Sequence, residues 1–329
     1  MRFMVRKQVS IEKKAIGIDI GGSNIRVGEV TESGALVHTF REEKDSKAIS
    51  QIFRMVDKCS DFIGIGISAG GPLDSKDSFD KKEKATQYME IKRKLEERYG
   101  VSCHLLHDCI SGVLAEKLFG VGKEHENLVY VTFSTGIGTG IIDNGRLLLG
   151  KEGSAQEAPH FIVEVESKIK CGCGGYGHWE GYSSGYGIPN YARYLLETDY
   201  RDSESALRSK GSKLKAEDVF RMASKDEIAN LILMRINTIN GLMVANIINA
   251  YDPELITVGG SVMLNNSKLL LGGIRKVAAS NTFNRMPRII ATPLGHDVCL
   301  IGAAAGVLFP GWISEYERLS KKGIWNDRD

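Results

Sequence analysis

The sequence predicts an α/β protein built of two related lobes. Its 329 residues approach the upper limit for a single hydrophobic core, which favours two units. The same pattern also occurs twice: a buried strand, a glycine-rich turn and a second strand. The first copy spans residues 15–30 and the second spans residues 127–143. Because identity between the two copies is weak, the predicted relationship is one of architecture.

The elements of the first part follow from hydrophobic periodicity and from turn residues. Short apolar runs separated by glycine turns predict strands, and apolar residues at helical spacing predict helices. A very polar stretch at 74–87 predicts a loop. The predicted strands are 15–20, 25–30, 35–40, 62–67 and 101–106, and the predicted helices are 46–58, 89–98 and 109–119.

The second part is interpreted in the same way, with a hairpin turn at Asp143–Gly145. Its predicted elements are strands 127–133, 141–143, 146–149 and 255–258, helices 215–223, 226–250 and 299–309, and a polar terminal helix. We expect a smaller first lobe at 1–108 and a larger second lobe at 109–309. We also expect a C-terminal helix at about 310–329 that packs back on the first lobe.

Composition excludes several classes of protein. Apolar residues make up 42% of the chain and the net charge is +2, which excludes a disordered chain and gives no reason to expect nucleic acid as a partner. The longest apolar run, Cys299–Phe309, is too short to span a bilayer, and the N-terminus has no apolar secretory segment. Six cysteines do not form a disulfide scaffold, so we expect a cytoplasmic protein without a membrane partner.

Three glycine clusters follow predicted strands and are candidate nucleotide-binding turns. Backbone N–H groups in such turns can approach a phosphate closely, and an aspartate at the strand end can hold Mg²⁺ through water. The alternative for the first two is a simple hairpin, and close backbone approach at the third would suit an adenosine. Neither a GxxxxGK[ST] loop nor a GxGxxG helix opening is present, so ATP would be bound by another scheme. The candidate residues are Asp19, Gly21, Gly22, Ser23 and Asn24, then Thr135, Gly136 and Gly138, and finally Gly259 and Gly260.

A histidine and an aspartate stand where a predicted strand meets a predicted helix. Asp108 is a candidate general base for a substrate hydroxyl, and His107 precedes it. The alternative is an aspartate that caps the helix. Both roles are compatible, because a helix N-terminus orients a carboxylate.

The most specific pattern lies between residues 157 and 180. It contains His160, Cys171, Cys173 and His178, four nitrogen and sulfur ligands within nineteen residues. Such a set suits a tetrahedral structural zinc, and its glycine-rich spacing argues against a chance cluster. Glu157 and Glu180 flank the ligands and are placed to bind sugar hydroxyls.

Together these motifs resemble those of the ROK family (repressors, open reading frames and sugar kinases) over residues 14–309. The family patterns and their counterparts are DxGGT at Asp19–Ser23, GxPGPxD at Ser68–Asp74, NDA at His107–Cys109, GTGxGxG at Ser134–Gly140, ExGH at Glu157–His160 and CxCGxxGCxExxxSG at Cys171–Gly185. Ser23 and Ser134 replace a threonine and a glycine, and His178 stands at the third cysteine. The zinc pattern is the most specific of these.

The resemblance implies a two-lobed actin-like ATPase (ribonuclease H-like) fold with a catalytic cleft between the lobes. It implies ATP and Mg²⁺ in the cleft, a structural Zn²⁺, and phosphoryl transfer to the 6-hydroxyl of a hexose or N-acetylhexosamine. Asp108 is then the base, and His160 would contact both zinc and sugar. The expected sugar contacts are Gly70, Gly71, His107, Asp108, Glu157, His160 and Glu180.

The departures from the family pattern lie on the sugar side. His107 replaces an asparagine, Pro159 replaces a glycine, and residues 75–100 are charged and lack the usual aromatic loop. The phosphoryl-transfer residues are matched, so the sugar is left open between glucose and N-acetylmannosamine.

Two other functions are the alternatives to a sugar kinase. A sugar-responsive repressor would carry a helix-turn-helix before the first glycine turn, and only eighteen residues precede Asp19. A sugar-binding protein without kinase activity is disfavoured by Asp108 and both phosphate turns. The apolar stripe of helix 226–250 is typical of a core or a subunit interface, and with the family habit it predicts a homodimer.

Overall fold

The computed structural model describes residues 12–70, 79–151 and 153–319, and for residues 79–85 the backbone alone. Within these ranges the chain forms two five-stranded mixed sheets. The first sheet has the order β3-β2-β1-β4-β5 and the second has the order β10-β9-β6-β7-β8. The strands are β1 (Lys14–Ile20), β2 (Asn24–Thr31), β3 (Leu36–Glu43), β4 (Ile65–Ala69), β5 (Cys103–His107), β6 (Leu128–Phe133), β7 (Ile137–Asp143), β8 (Arg146–Leu147), β9 (Leu255–Gly259) and β10 (Arg288–Ala291).

The two sheets repeat one topology. In the first, β1 pairs antiparallel with β2, β2 pairs antiparallel with β3, and β4 and β5 follow in parallel. In the second, β6, β7 and β8 form the antiparallel part, and β9 and β10 follow β6 in parallel. The prediction of two related α/β lobes is therefore confirmed.

Ten α-helices pack around these sheets in the described part of the chain. They are α1 (Ala48–Val56), α2 (Phe79–Tyr99), α3 (Asp108–Leu118), α4 (Trp179–Ser183), α5 (Gly187–Glu197), α6 (Ala216–Met222), α7 (Glu227–Tyr251), α8 (Ser261–Asn281), α9 (Val298–Leu308) and α10 (Ser314–Leu319). The loop predicted at 74–87 is wrong from Phe79 onward, where α2 begins. Lysine and glutamate are good helix formers, and i,i+4 ion pairs such as Lys92–Glu96 add support. Residues 71–78 lie outside the described part.

Helix α9 lies directly on the first sheet, although the sequence predicts it as part of the second lobe. A Cβ atom built on Gly17 would lie 2.2 Å from the Leu300 carbonyl oxygen, and one on Gly66 would lie 1.9 Å from that of Ala303. The same helix meets α3, because a Cβ on Gly302 would lie 1.7 Å from the Ser111 carbonyl oxygen. The lobe boundaries at 108 and 309 stay predictions. The packing of α9 on the first sheet indicates that the chain returns to the first lobe before Val298.

The C-terminal segment, which we expect to pack on the first lobe, begins after α9. Ile313 and the α10 residue Tyr316 share a buried cluster with Leu106 of β5 and with Ile110 and Leu114 of α3. Residues 320–329 lie outside the described part.

The apolar stripe of α7 is mainly core of the second lobe. Ile232, Ile236, Met243, Ile247 and Ile248 are fully buried, and they pack with residues of β6, β9 and α8. By length and composition α7 is also apolar enough to cross a membrane, a test that core helices pass as well. Because most of its apolar residues are buried, the stripe of α7 stabilises the core of the second lobe.

The contact between α9 and β4 generates a stability prediction. We expect Gly66→Ala to lower the free energy of unfolding by about 1–3 kcal/mol, because the new methyl group overlaps the Ala303 carbonyl and the helix must shift. The matched control is Gly272→Ala in α8, where nothing lies within 4 Å of the new methyl group. The control should be neutral or stabilising by about 0.5–1 kcal/mol. Urea unfolding measures both, and equal effects of the two substitutions would contradict this account.

Candidate active site

Two glycine turns, one from each lobe, face each other. The first closes the β1–β2 hairpin, where the Gly21 N–H donates to the Asn24 carbonyl at 3.0 Å. A Cβ on Gly22 would lie 3.1 Å from the Thr135 hydroxyl oxygen of the second turn. Ser23 is exposed beside Gly22 at the tip of the first turn. The structure therefore brings together two segments that are more than a hundred residues apart in the chain.

Asp19 lies at the end of β1, below the first turn. Burial raises the pKa of Asp19 to about 7; the Arg26 guanidinium counteracts this shift and the nearby Asp108 carboxylate adds to it. Arg26 Nη1 is 3.9 Å from Asp19 Oδ2 and also donates to the carbonyl of His296, just before α9. Arg26 is thus a cleft residue that links the first hairpin to the start of α9.

The third glycine cluster adjoins the second turn. The Ser134 N–H donates to the Gly136 carbonyl at 2.8 Å, and the Ser134 hydroxyl lies 3.5 Å from that of Ser261, the first residue of α8. Gly260 has φ +83°, and a Cβ there would lie 2.3 Å from the Phe133 carbonyl oxygen. A glycine at 260 therefore lets the start of α8 approach the second turn closely.

Gly138 and Gly259 differ from the other glycines of this group. A Cβ on Gly138 would lie 2.2 Å from Cys109 Sγ, and one on Gly259 would lie 2.5 Å from the Tyr130 hydroxyl. Both residues are buried inside strands, β7 and β9 respectively. The structure gives these two glycines a packing role, and their predicted nucleotide contacts stay predictions.

Asp108 is the first residue of α3, and its carboxylate borders the cleft. The helix cap is His107, whose Nδ1 accepts the Cys109 N–H at 3.3 Å, so Asp108 is not the capping side chain. Asp108 Oδ1 lies 3.1 Å from His107 Nδ1. A Cβ on Gly70 would lie 3.1 Å from Asp108 Oδ2, so this glycine keeps space beside the carboxylate. Gly71 lies outside the described residues.

The four predicted metal ligands converge. One donor atom from each of His160, Cys171, Cys173 and His178 lies within 4.8 Å of the others. Cys173 Sγ is 3.1 Å from His178 Nδ1, and Cys171 Sγ is 3.7 Å from His160 Nδ1. Two thiols and two imidazoles at these separations fit the tetrahedral ligand set that zinc prefers.

The loop that carries these ligands is shaped by its backbone. The Cys171 N–H donates to the Gly175 carbonyl at 2.8 Å, and the Gly174 N–H donates to the Cys171 carbonyl at 3.0 Å. Gly174 has φ +98°, a conformation that favours glycine. Burial and the neighbouring His160 lower the pKa of His178, which keeps its imidazole in the neutral form that binds metals. We call residues 171–178 the metal loop.

The two glutamates make contacts within the chain. Glu157 Oε2 lies 3.4 Å from His160 Nε2, the ring nitrogen that faces away from Cys171. Glu180 Oε2 accepts at 3.0 Å the N–H of Ile137, the residue at which the second turn leads into β7. Glu180 Oε1 accepts from the Tyr186 hydroxyl at 2.9 Å. Glu180 therefore supports the second turn, a contact that the sequence did not indicate.

Two residues of the site, Arg26 and Tyr186, were not assigned a role from the sequence. Arg26 is directly opposite Asp19 in the β1–β2 register, so a predicted hairpin register could have identified it. Tyr186 follows the Ser184–Gly185 end of the zinc pattern, and nothing in its immediate sequence indicates the three-dimensional contacts of its hydroxyl.

Comparison with known proteins agrees with this geometry. The chain matches the ROK family over residues 15–308. It is 31% identical over 298 residues to a glucokinase of Pyrobaculum calidifontis, an alignment that covers 89% of this chain and 94% of that protein. It is also 27% identical to a xylose repressor of Bacillus subtilis, over 89% of this chain and 77% of the repressor.

A solved structure shares the fold. The ROK family glucokinase from Streptomyces griseus, in complex with glucose and AMPPNP, superimposes with a TM-score of 0.73 and 28% sequence identity. The superposition covers 88% of this chain and 98% of that one. The fold is thus the two-lobed actin-like ATPase fold. With a family match over nearly all of its length, the chain belongs to the ROK family.

Proposed function

We propose that this ROK protein is a kinase that transfers the γ-phosphoryl group of ATP to the 6-hydroxyl of a hexose or N-acetylhexosamine. The observation that carries the proposal is the approach of the two glycine turns, with Thr135 Oγ1 3.1 Å from a Cβ built on Gly22. Asp108 opens α3 at the same cleft, close enough to Asp19 to influence its pKa. The cleft therefore offers backbone N–H groups for phosphates and a carboxylate for the acceptor hydroxyl.

The proposed transfer uses Asp108 as the general base. As the sugar oxygen attacks the γ-phosphorus, its proton passes to the Asp108 carboxylate, and the bond from the γ-phosphorus to the bridging oxygen breaks to release ADP. Positioning and charge neutralisation supply most of the acceleration in such reactions. Mg²⁺, when bound, would neutralise phosphate charge, and Asp19 would hold it through water. The residues proposed for ATP are the two facing turns and Gly260 at the start of α8.

Zinc is the metal that best fits the metal loop. His160, Cys171, Cys173 and His178 would hold it, and the ion would fix the loop as a structural metal does. The approach of Glu157 Oε2 to His160 Nε2 matches the carboxylate partner that ligating histidines usually have. We propose that Glu157, His160, His107 and Gly70 contact the sugar, and that Glu180 serves both sugar and second turn.

The sugar is proposed to be glucose first, with N-acetylmannosamine as the next substrate to test. The support is the similarity to glucokinases, of which the Pyrobaculum calidifontis protein is one. ADP formation with ATP and a panel of glucose, mannose, N-acetylglucosamine and N-acetylmannosamine tests the proposal, and ³¹P NMR locates the phosphate. ADP release no faster with any sugar than with water alone would overturn it.

A sugar-binding regulator without kinase activity is the second candidate. The similarity to the xylose repressor of Bacillus subtilis favours it. The assay above separates the two, because a regulator would bind sugar without forming ADP. Asp108 and the facing turns favour the kinase.

We also propose a homodimer and a cytoplasmic location. Because most of the α7 stripe is core, the dimer proposal now depends on Met234 and Leu242, which are 56% and 37% exposed on one face of α7. Light scattering of Met234→Lys against the unmodified protein tests the dimer, and an unchanged dimer mass would place the interface elsewhere.

The base assignment makes a direct prediction. We expect Asp108→Asn to lower kcat by about 10²–10⁴-fold, because the near-isosteric amide cannot take the proton. Binding of sugar and AMPPNP, measured by calorimetry, should remain. The control is Asp143→Asn in the exposed β7–β8 turn, which should keep full activity. Turnover of the Asp108 variant within a few-fold of the unmodified protein would refute the assignment.

Asp19 makes a prediction about pH. Its folded pKa of about 7 lies above the ordinary 3.8, so the unfolded chain ionises first and this group lowers stability as pH rises from about 4 to about 7. Asp19→Asn removes that dependence. In the absence of metal, we expect the variant's stability relative to the unmodified protein to increase by about 2 kcal/mol from pH 5 to pH 7.5. Urea unfolding at both pH values measures this. A relative stability that does not change with pH would contradict the buried ionisation.

The metal loop makes a third prediction. We expect one zinc per chain, and we expect Cys171→Ser and Cys173→Ser to lose it and to raise the sugar KM more than the ATP KM. The reason is that zinc would fix His160 and, through it, Glu157. Metal analysis and steady-state kinetics measure both effects, with Cys59→Ser as a control distant from the loop. A metal-free protein with full activity would refute the zinc assignment.

A further inference from the structure

Tyr186 occupies the junction between α4 and α5, beside the metal loop. Its hydroxyl accepts the Gly172 N–H at 2.7 Å and donates to Glu180 Oε1 at 2.9 Å. A phenol has one proton to donate, and this geometry assigns that proton to the carboxylate.

The same short segment is bonded to the second glycine turn. The Gly185 N–H donates to the Ser134 carbonyl at 2.8 Å, and the Tyr186 N–H donates to the Thr135 carbonyl at 3.3 Å. Glu180 completes the connection, because its Oε2 accepts the Ile137 N–H at 3.0 Å while its Oε1 accepts from Tyr186. The turn and the metal loop are thus joined through one tyrosine and one carboxylate.

We propose that Tyr186 is a positioning residue that sets the second glycine turn in register with the metal loop through Glu180. The metal loop lies next to His160 and Glu157, and the turn faces Gly22 across the cleft. A change at either end therefore reaches the other through a chain of three hydrogen bonds. The effect expected on the KM for ATP rests on the proposed kinase function, whereas the hydrogen-bond link itself does not.

The hydroxyl of the neighbouring Tyr182 has different hydrogen-bond partners from the hydroxyl of Tyr186. Tyr182 is in α4, but its hydroxyl donates to Glu164 Oε2 at 2.7 Å and also contacts the Ser167 hydroxyl, and Glu180 is not among its hydrogen-bond partners in the described part of the chain. Tyr182→Phe is therefore a matched control for Tyr186→Phe. Each substitution removes a single hydroxyl oxygen, from a half-buried ring at Tyr186 and from a buried ring at Tyr182.

Hydrogen exchange followed by mass spectrometry tests the link without sugar, nucleotide or kinase activity. In Tyr186→Phe, the peptides that contain Gly172 and Ile137 should both exchange about three- to tenfold faster, the effect of losing one hydrogen bond. Faster exchange at Gly172 is local. The Ile137 N–H donates to Glu180 Oε2, so its faster exchange reports on the carboxylate, because the backbone bonds of residues 185 and 186 to the turn do not involve the tyrosine hydroxyl. Tyr182→Phe should leave both peptides unchanged. Acceleration confined to the Gly172 peptide, or equal in the control, would overturn the proposal.

Glu180→Gln provides a second variant should Tyr186→Phe not fold. It weakens the hydrogen bonds at the centre of the same link and should make hydrogen exchange faster in the same two peptides. The Tyr186→Phe/Glu180→Gln double variant should change the free energy of exchange by less than the sum of the two single variants, because substitutions in one hydrogen-bond network do not have additive effects. Strict additivity would overturn the link.

A kinetic measurement separates positioning from simple stabilisation. Tyr186→Phe should raise the KM for ATP about three- to tenfold with little change in kcat, and its unfolding midpoint should match that of Tyr182→Phe. An unchanged KM for ATP in an active enzyme would overturn the positioning role. If the unmodified protein shows no kinase activity, the proposed function fails, and the exchange experiment still decides the link.

Discussion

The structure depends on the close contact between the backbone of α9 and the first sheet. Glycines at 17 and 66 leave room for the Leu300 and Ala303 carbonyls, and Gly302 allows α9 to meet α3. Any larger side chain at these positions would push the helix away from the sheet. Because α3 also packs on the second sheet, the α3–α9 contact joins the two lobes.

This contact also determines where the chemistry lies. Asp108 is the first residue of α3, and the carbonyl that receives Arg26 belongs to His296, just before α9. The two helices that join the lobes therefore begin at the cleft. Their packing holds the carboxylate and the first glycine turn in a fixed relation, and the second turn is held from its other side by Glu180.

Much of the fold could be predicted from local sequence. The paired hairpins predict two related sheets, and their glycine turns are Gly21–Gly22 and Thr135–Gly136. The spacing of the cysteines and histidine at Cys171–His178 predicts a metal loop. The start of α2 and all of α8 could not be predicted, because polar residues and the Gly272–Gly273 pair mask the helical pattern. Contacts between distant segments, such as Tyr186 with Gly172, have no local signature. They arise from the tertiary packing.

We propose that the two glycine turns, which come from different lobes, bind one nucleotide between them. Titration calorimetry with AMPPNP measures this on the unmodified protein and on the separate variants Gly22→Val and Gly136→Val. We expect one AMPPNP per chain, with binding weakened by either substitution, since each turn would contribute backbone N–H groups to the same phosphates. Binding that is unchanged by one of the two substitutions, or that shows two sites per chain, would rule out a single site shared by the two turns.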